Sequence, residues 1–253
     1  MRGLKEFFLW LVVVLIYIYS FAKCQAQTAP FVYVKHKSYE VYYDMVNRSP
    51  AVVVYSLELS DFAGNCKLSG PHFKQDTKLP RPRVKDDDFK GSGYVRGHLC
   101  PAGDRDSNKS LMKDTYYCSN IVPMSMVTNS GNWKRTEDYA RALAANGCKI
   151  IAAAVPLFMN CDTVFIGQSR VRVPGTIIKA VLCRHHPDEC KLFFVGNQSS
   201  YFFTPVSTTN LGEFFFRTSK KNYHGKENQL DIMSQAALVI LEQICSPYFN
   251  KQN

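Results

Sequence analysis

The sequence has few acidic residues and lacks the features that divide or repeat a chain. Its 253 residues contain 21 Asp and Glu against 31 Lys and Arg, a formal net charge of +10. No Pro/Ser/Gly-rich linker and no internal repeat interrupts the chain, which favours a single domain. The phosphate-binding pattern Gly-x-x-x-x-Gly-Lys is also missing, so the sequence gives no support for an NTPase.

Apolar and aromatic residues, by contrast, are plentiful. They make up 46% and 13% of the chain, which excludes a disordered, collagen-like or coiled-coil protein. The surplus of positive charge favours a polyanionic partner, such as nucleic acid or an anionic membrane surface.

The first 26 residues have the pattern of a secretory signal peptide. Arg2 and Lys5 precede an apolar run from 7 to 22, as in a charged n-region followed by an h-region. Small residues fit cleavage after Ala22 or after Ala26, and an uncleaved membrane anchor is the alternative. We therefore predict a signal peptide at 1–26, one domain at 27–253 and an extracellular protein. Once the signal is removed, no stable membrane association is expected.

The cysteines and glycosylation motifs agree with that compartment. Cleavage after Ala26 leaves eight of the nine cysteines, an even number that allows up to four disulfides. Among them, Cys183 and Cys190 are interpreted as disulfide-bonded cysteines rather than zinc ligands. Sequons at Asn47, Asn108 and Asn197 predict a glycoprotein.

The apolar pattern predicts an α+β fold with a mostly antiparallel central sheet and flanking helices. The segment 66–89 is polar and contains prolines, so it is predicted to be mostly loop. A helix is predicted at 137–146, beginning near Asn129 and ending before Gly147, and a second helix at 230–244. Strands are predicted at 31–34, 40–43, 51–57, 149–158, 177–182 and 191–195.

The first cluster with chemical potential is the glycine-rich run from Gly91 to His98. On a strand, Arg96 and His98 would share a face. A neutral imidazole can accept a proton from water, and a neighbouring guanidinium can hold a phosphate by two parallel hydrogen bonds. Alone, this pattern is more typical of a structural histidine in a turn. The nearby run of three aspartates at 86–88 is interpreted as a solvated acidic turn.

The second cluster places Asn129, Trp133, Glu137 and Arg141 four residues apart, which gives one stripe on a helix. An ordinary Glu–Arg surface pair beside a core tryptophan is the alternative. However, Mg²⁺ takes few protein oxygens and keeps most of its waters. The Asn129 amide, supported by Glu137 through a water, would suffice when substrate phosphate completes the shell.

Together the two clusters resemble the DNA/RNA non-specific endonuclease family, whose members have a ββα-metal active site. The family motif reads Asp-Arg-Gly-His, followed roughly thirty residues later by Asn-x-x-x-Trp-x-x-x-Glu-x-x-x-Arg. Further segments at 117–123, 156–158 and 173–179 are similar to other family signatures, so the likeness runs from Tyr43 to Val195. One departure is Val95, which stands where the family has Asp.

The resemblance implies a role for each matching residue and a Mg²⁺ cofactor, with Mn²⁺ or another divalent cation as the alternative. By this comparison the general base is His98, the direct metal ligand is Asn129, the carboxylate that holds metal-bound water is Glu137, the phosphate-contacting arginines are Arg96 and Arg141, and a further upstream arginine is Arg81, with Arg83 as the alternative.

The predicted function is therefore a secreted, metal-dependent endonuclease that cleaves DNA and RNA with little sequence specificity. Two alternatives stay open. Val95 suggests a catalytically weak or inactive nuclease-like module that only binds nucleic acid, and the same phosphate chemistry suits a small-nucleotide phosphodiesterase. A homodimer is also left open. Basic residues near the two clusters are predicted to contact the phosphate backbone: Lys109, Lys113, Lys134 and Arg135.

Overall fold

The frame of the molecule is a seven-stranded antiparallel sheet. The computed structural model describes residues 31–70, 73–159, 163–186, 191–197, 202–206 (backbone only), 239–241 and 243. One compact unit extends from Phe31 to Asn253. The predicted leader at 1–26 and most of the predicted helix at 230–244 lie outside the described residues. In the described ranges, no helix is long and apolar enough to cross a membrane.

The strand order of the large sheet is β1-β2-β3-β6-β9-β10-β11, and every neighbouring pair is antiparallel. Its strands are β1 Phe31–Lys35, β2 Glu40–Asp44, β3 Ser49–Leu57, β6 Ile150–Leu157, β9 Thr176–Cys183, β10 Lys191–Gly196 and β11 Phe202–Val206. Two small ladders stand apart from it, β4 Val95–His98 with β5 Ile121–Met124 and β7 Phe165–Ile166 with β8 Val171–Arg172.

The core lies on the central strands of this sheet. Ala152–Ala154, Ala180 and Val181 have no exposed surface, which explains why the sequence runs apolar there without alternation. One long helix packs on the sheet through its small residues, since Ala140 and Ala144 are buried. The helices are α1 Leu59–Phe62, α2 Lys109–Asp114, α3 Met126–Thr128 and α4 Lys134–Ala145, and short 3₁₀ turns lie at Asp86–Phe89, Ala102–Arg105 and Cys118–Asn120.

These elements confirm the predicted α+β class and the six predicted strands to within a few residues. The predicted helix differs in one respect. Between α3 and α4, residues Asn129–Trp133 form a π-helical turn in which Gly131 leaves helical geometry (φ −105°, ψ −106°). The spacing from Asn129 to Trp133 is therefore not that of a regular α-helix, and such π turns are frequent at functional sites.

The described residues confirm one disulfide, which includes the predicted Cys183, and they do not reach the upper limit of four. One bridge joins Cys148, just after α4, to Cys183 at the end of β9. The thiols of Cys66, Cys100 and Cys118 are free, so four bridges cannot form, while Cys161, Cys190 and Cys245 lie outside the described residues. Cys100 and Cys118 instead fill the interior as small apolar side chains, where burial raises the pKa of each thiol to about 12.

Two of the three predicted glycosylation sites are incompatible with the fold. Asn47 is buried, and its side-chain amide donates to Asp44 at 2.6 Å. Asn197 is fully buried, and its amide donates to the carbonyls of Pro123 and Pro174. A glycan on either nitrogen would have to replace these interior hydrogen bonds. The third site, Asn108, is exposed but caps α2 by accepting from two backbone N–H groups.

Candidate active site

The β4–β5 ladder presents Arg96 and His98 on one face, as the sequence predicts. Between them, Gly97 faces the partner strand and is fitted closely to Met124. A Cβ added at Gly97 would lie 2.8 Å from the Met124 Cβ and 2.5 Å from its Cε. Only glycine therefore allows the two strands to approach this closely and keeps both functional side chains in register.

The His98 ring lies among aromatic side chains, and one of its two nitrogens makes no hydrogen bond to the described residues. Its ring lies 5.4 Å from that of Phe73 and 5.0 Å, edge-on, from that of Tyr116. Its Nε2 atom is buried and has no hydrogen-bond partner among the described residues. Burial lowers the pKa of the imidazole from 6.5 to about 4, because the apolar surround disfavours the charged form. The ring is therefore neutral at pH 7 and able to accept a proton.

A single hydrogen bond joins the two sequence clusters. The indole Nε1 of Trp133, a fully buried side chain, donates to the backbone carbonyl of His98 at 2.9 Å. Trp133 closes the π-helical turn that begins at Asn129, and it directly precedes α4, which carries Glu137. Through this bond the segment with the predicted metal ligand is fixed to the strand with the predicted base.

Glu137 is a carboxyl group in a mainly desolvated position, with 15% of its side chain exposed. Burial, with a smaller contribution from Asp104, raises its pKa to about 7, although the positive charges of Lys179 and Arg141 act to lower it. A cation placed nearby would therefore bind more tightly as this group ionises.

The guanidinium group of Arg141 contacts three carboxylate side chains. Its Nε donates to Asp104 at 2.7 Å, its Nη1 to Asp138 at 3.2 Å, and its Nη2 lies 3.5 Å from Glu137. The sequence predicts that this arginine contacts substrate phosphate. In the structure each of its guanidinium nitrogens lies beside a carboxylate, with Nη2 next to Glu137, and contact with phosphate stays a prediction.

A buried polar network beneath the site was missed by the sequence analysis. Asp104, which is fully buried, accepts from the Tyr55 hydroxyl at 3.0 Å. Lys179, also fully buried, donates from Nζ to the Tyr55 hydroxyl at 2.7 Å and to the Leu99 carbonyl at 3.1 Å. The Lys179 ammonium also lies 5.0 Å from the centre of the Trp133 ring. Because these residues are far apart in sequence, no spacing pattern links them.

Arg96 is held by Asp86 rather than by its neighbour at position 95. Its Nε donates to the Asp86 carboxylate and its Nη2 to the Asp86 carbonyl at 2.9 Å. The remaining nitrogen, Nη1, has no hydrogen-bond partner in the described part of the chain. The interpretation of 86–88 as a solvated turn is wrong for Asp88, which is buried, whereas Asp87 is exposed and Asp86 is partly exposed and paired with Arg96. Val95 packs against the main core.

The structure does not bring Arg81 into contact with the other predicted residues. Arg81 is exposed on the loop before the Asp86–Phe89 turn, and no interaction within the described ranges joins it to His98. The alternative, Arg83, is half-buried and donates to the Leu79 carbonyl and to the Thr77 carbonyl.

The predicted ligands suit a hydrated divalent cation better than a fully enclosed one. In the described ranges, no three His, Cys, Asp or Glu side chains cluster as a metal site. The Asn129 amide oxygen and the Glu137 carboxylate are hard oxygen ligands, of the type and small number that Mg²⁺ accepts while it keeps several waters. Their chemistry therefore fits the predicted cation.

A basic cleft of about 300 Å³ opens beside the histidine. We call it the lysine cleft, and its residues are Leu68, Ser69, Lys74, Lys109, Lys113 and Tyr116. The ring of Tyr116 also contacts His98, so this one side chain is shared by the wall of the cleft and the surround of the predicted base. Of the other predicted phosphate contacts, Lys134 pairs with Asp138 and Arg135 with Asn132, so neither belongs to this cleft.

Comparison with known proteins gives the same fold and the same family. A crystal structure of an EndoG/EndoGI complex superposes with a TM-score of 0.63, covering 81% of this chain and 88% of that chain at 23% identity. Nuclease EXOG, mitochondrial, of Mus musculus is 30% identical over 172 residues, which is 64% of this chain and 47% of the relative. Endonuclease G, mitochondrial, of Bos taurus is 28% identical over 57% of this chain and 52% of the relative.

These relatives correct one prediction and support another. Both are mitochondrial proteins by name, so the prediction of a secreted, extracellular protein is wrong. Both are named nucleases, which agrees with the predicted phosphodiester hydrolase. The chain spans about half the length of the curated relatives it matches.

The family assignment itself rests on a match along most of the chain. The family model described as DNA/RNA non-specific endonuclease matches residues 23–231, which includes both sequence clusters and the central sheet. This protein therefore belongs to the DNA/RNA non-specific endonuclease family.

Proposed function

We propose that this chain hydrolyses phosphodiester bonds in both DNA and RNA with little sequence specificity. In this proposal His98 is the general base, and Asn129 binds a divalent cation, Mg²⁺ in the first instance, with Glu137 holding a metal-bound water. Family membership supports the nuclease reaction and a divalent cation, and the surroundings of His98 and Glu137 described above support their proposed roles.

The observation that carries the proposal is the state of the His98 side chain. A buried ring nitrogen without a partner costs folding free energy, so it is retained only where something else compensates. The low pKa keeps this nitrogen unprotonated at pH 7, as a base requires. The hydrogen bond from Trp133 to the His98 backbone carbonyl joins the strand of the histidine to the turn that begins at Asn129, which supports action of the two residues together.

In the proposed mechanism, His98 removes a proton from a water that attacks the scissile phosphorus. The bound cation would supply Lewis-acid stabilisation of the charge on the phosphate and the leaving oxygen. Arg96 is oriented by Asp86 and offers Nη1 to a phosphate oxygen as negative charge develops. Arg141 does not contact phosphate in this scheme but orients Glu137.

The lysine cleft supports a polymeric substrate. One opening is lined by Lys74, Lys109 and Lys113. Its wall also includes Tyr116, whose ring contacts His98. Contacts from lysines to backbone phosphates do not depend on base identity, which fits cleavage with little sequence preference. A mononucleotide-sized substrate would not need three ammonium groups outside the reacting phosphate.

The proposal is tested by cleavage of plasmid DNA and of RNA by wild type and by His98→Ala, with and without Mg²⁺. We expect His98→Ala to lower the rate on both polymers by about 10²–10⁴-fold, the usual contribution of a general base. The matched control is His185→Ala, which removes an exposed imidazole and should leave the rate unchanged. Urea unfolding of both variants verifies that the fold is intact.

Two results would overturn the proposal. Equal cleavage by folded His98→Ala would remove the histidine from the mechanism, and cleavage that survives thorough chelation would remove the cation. Polymer binding by wild type without any metal-dependent cleavage would instead identify the chain as the nucleic-acid-binding module suggested by Val95.

A further inference from the structure

A second basic cleft lies away from His98, where three loops meet. Its volume is about 510 Å³. It is formed by the β2–β3 turn, the loop before the Asp86–Phe89 turn and the β7–β8 turn. We call it the arginine cleft, and the residues that matter for the argument are Arg48, Arg83, Lys85, Phe165 and Arg170.

The charges of this cleft are not neutralised within the described part of the chain. Four of its lining side chains are basic and none is acidic. None of the four takes part in an ion pair among the described residues; Arg48 and Arg83 are oriented by backbone carbonyls instead. Hydrogen bonds to carbonyls fix a guanidinium in place but leave its charge available to an anion.

Two of the arginines occupy unusual backbone conformations. Arg48 and Arg170 have φ values of 54° and 52°, and they are the only non-glycine residues with positive φ in the described ranges. Turn positions of this kind favour glycine or asparagine, because a Cβ disfavours the left-handed conformation. Both exceptions are arginines, they come from turns far apart in sequence, and they face the same cleft.

Hydrogen bonds and close packing hold the walls of the cleft together. The buried Asp88 carboxylate accepts from the backbone N–H of Lys85 and from that of Ser169, each at 2.9 Å, and so joins two walls. The β7–β8 turn packs so closely here that a Cβ at Gly167 would lie 2.4 Å from Asp88. This arrangement holds Lys85 and Arg170 at fixed positions.

The cleft also offers an aromatic surface and a connection to the catalytic arginine. Phe165 is 40% exposed, and the Arg170 guanidinium lies 4.6 Å from the centre of its ring. Stacked arginine and aromatic planes beside a basic groove are typical of sites for single-stranded nucleic acid. Lys85 directly precedes Asp86, whose side chain accepts a hydrogen bond from Arg96. The same short segment therefore lines the arginine cleft and orients Arg96.

We infer that the arginine cleft is a binding site for a single strand of DNA or RNA, separate from the residues that cleave it. It extends the proposed function by giving a long substrate a second point of attachment. Phosphates contact Arg48, Lys85 and Arg170, and a base stacks on the Arg170–Phe165 pair. A dinucleotide has a single phosphodiester, which the catalytic residues would occupy, so it offers no further phosphate to this cleft.

The test compares two triple variants that remove the same charge. The cleft variant is Arg48→Gln/Lys85→Gln/Arg170→Gln, and the control is Lys37→Gln/Lys149→Gln/Arg184→Gln, three exposed side chains that line neither cleft. Binding of a fluorescent single-stranded oligonucleotide is measured by anisotropy in chelator, across a range of salt. Because no metal is present, this readout is independent of cleavage.

We expect the cleft variant to bind at least about tenfold more weakly than the control, and its salt slope to fall by about 2, since each lost single-strand phosphate contact removes about 0.7. Hydrolysis of a dinucleotide with metal should be unchanged. Equal weakening in both variants, or none in either, overturns the inference. Failure of wild type to hydrolyse anything would contradict the proposed function but leave the binding result interpretable. Urea unfolding of both variants distinguishes lost contacts from lost structure.

Discussion

At the scale of single residues, the site contains two titratable side chains, His98 and Glu137, whose charged forms are disfavoured by burial. Burial lowers the pKa of His98 to about 4 and raises that of Glu137 to about 7. At pH 7 the histidine is therefore neutral and the glutamate is at its midpoint. Pairs of groups with pKa values shifted in this way are characteristic of acid–base sites.

The Glu137 carboxyl should destabilise the fold above pH 7. Its folded pKa of about 7 exceeds the ordinary value of 4.5, so the native state holds the proton more tightly than the unfolded state. Stability from this group is then present below 4.5 and is lost as pH rises to 7, up to about 3 kcal/mol. We expect Glu137→Gln to unfold at higher urea concentration than wild type at pH 8, and to lose most cleavage activity.

The control for that prediction is Asp138→Asn, the exposed neighbour on α4. It should shift stability by less than about 1 kcal/mol at either pH, as surface ion pairs do. If Glu137→Gln is no more stable than wild type at pH 8, the neighbouring Lys179 and Arg141 compensate the ionised carboxylate, and the raised pKa is not a property of the folded protein.

At the scale of elements, two parts of the site depend on the close approach of segments that are separate in sequence. The strands β4 and β5 approach because Gly97 has no side chain, and the π-helical turn brings Trp133 to the His98 carbonyl. The ladder thus sets the direction of both Arg96 and His98, while the turn sets where the Asn129 segment lies relative to them.

Replacing Gly97 by alanine should damage activity more than stability. The added Cβ would meet Met124 atoms at 2.5 and 2.8 Å, so β4 must move away from β5. We expect a stability loss of about 1–3 kcal/mol, as for other overpacked interiors, and a larger relative fall in the rate of polymer cleavage. Urea unfolding and initial rates measure the two effects.

Trimming the opposite side chain is the matching control. In Gly97→Ala/Met124→Ala the Cε and Sδ contacts vanish, while the Met124 Cβ contact at 2.8 Å persists. The double variant should therefore recover part of the lost rate and not all of it. Full wild-type activity in Gly97→Ala alone would show that the ladder does not position His98.

How far the sequence predicts this molecule depends on whether a feature is local. The strands of the large sheet follow from runs such as Ala152–Ala154, which are buried on β6. The β4 strand was found only as a motif, because Val-Arg-Gly-His has no strand-like alternation. The π-helical turn has the same composition as a regular helix start, so the predicted stripe through Asn129 missed it.

Interactions between distant segments were the part that no local pattern predicts. Asp86 was assigned to solvent because three adjacent aspartates usually lie there, whereas Arg96, ten residues later, pairs with it. The contacts of Lys179 with Tyr55 and Leu99 span 124 and 80 residues. Arg141 was assigned to phosphate from the family motif, and its three carboxylate partners became visible only in the fold.

At the scale of the whole molecule, charge is distributed to suit a long polyanion. The chain carries a net charge of +10, and the described residues place lysines in one cleft and arginines in another. The strand with Arg96 and His98 is connected to both, to the lysine cleft through the contact of His98 with Tyr116 and to the arginine cleft through Asp86, the neighbour of Lys85. A polymer can engage both clefts, whereas a small nucleotide can engage only the reacting groups.

That difference predicts that kcat/KM falls steeply with salt for a long substrate and only slightly for a short one. Each phosphate held by a lysine or arginine releases counterions, so affinity falls steeply with salt in proportion to the number of contacts. With six contacts and the single-strand slope of about 0.7 per contact, kcat/KM on long single-stranded DNA should fall by about 300-fold between roughly 50 and 200 mM salt. For a dinucleotide, kcat/KM should change by less than about tenfold over the same range. Equal salt responses for the two substrates would contradict the polymer assignment and favour a small-nucleotide phosphodiesterase, because the clefts would then take no part in substrate binding.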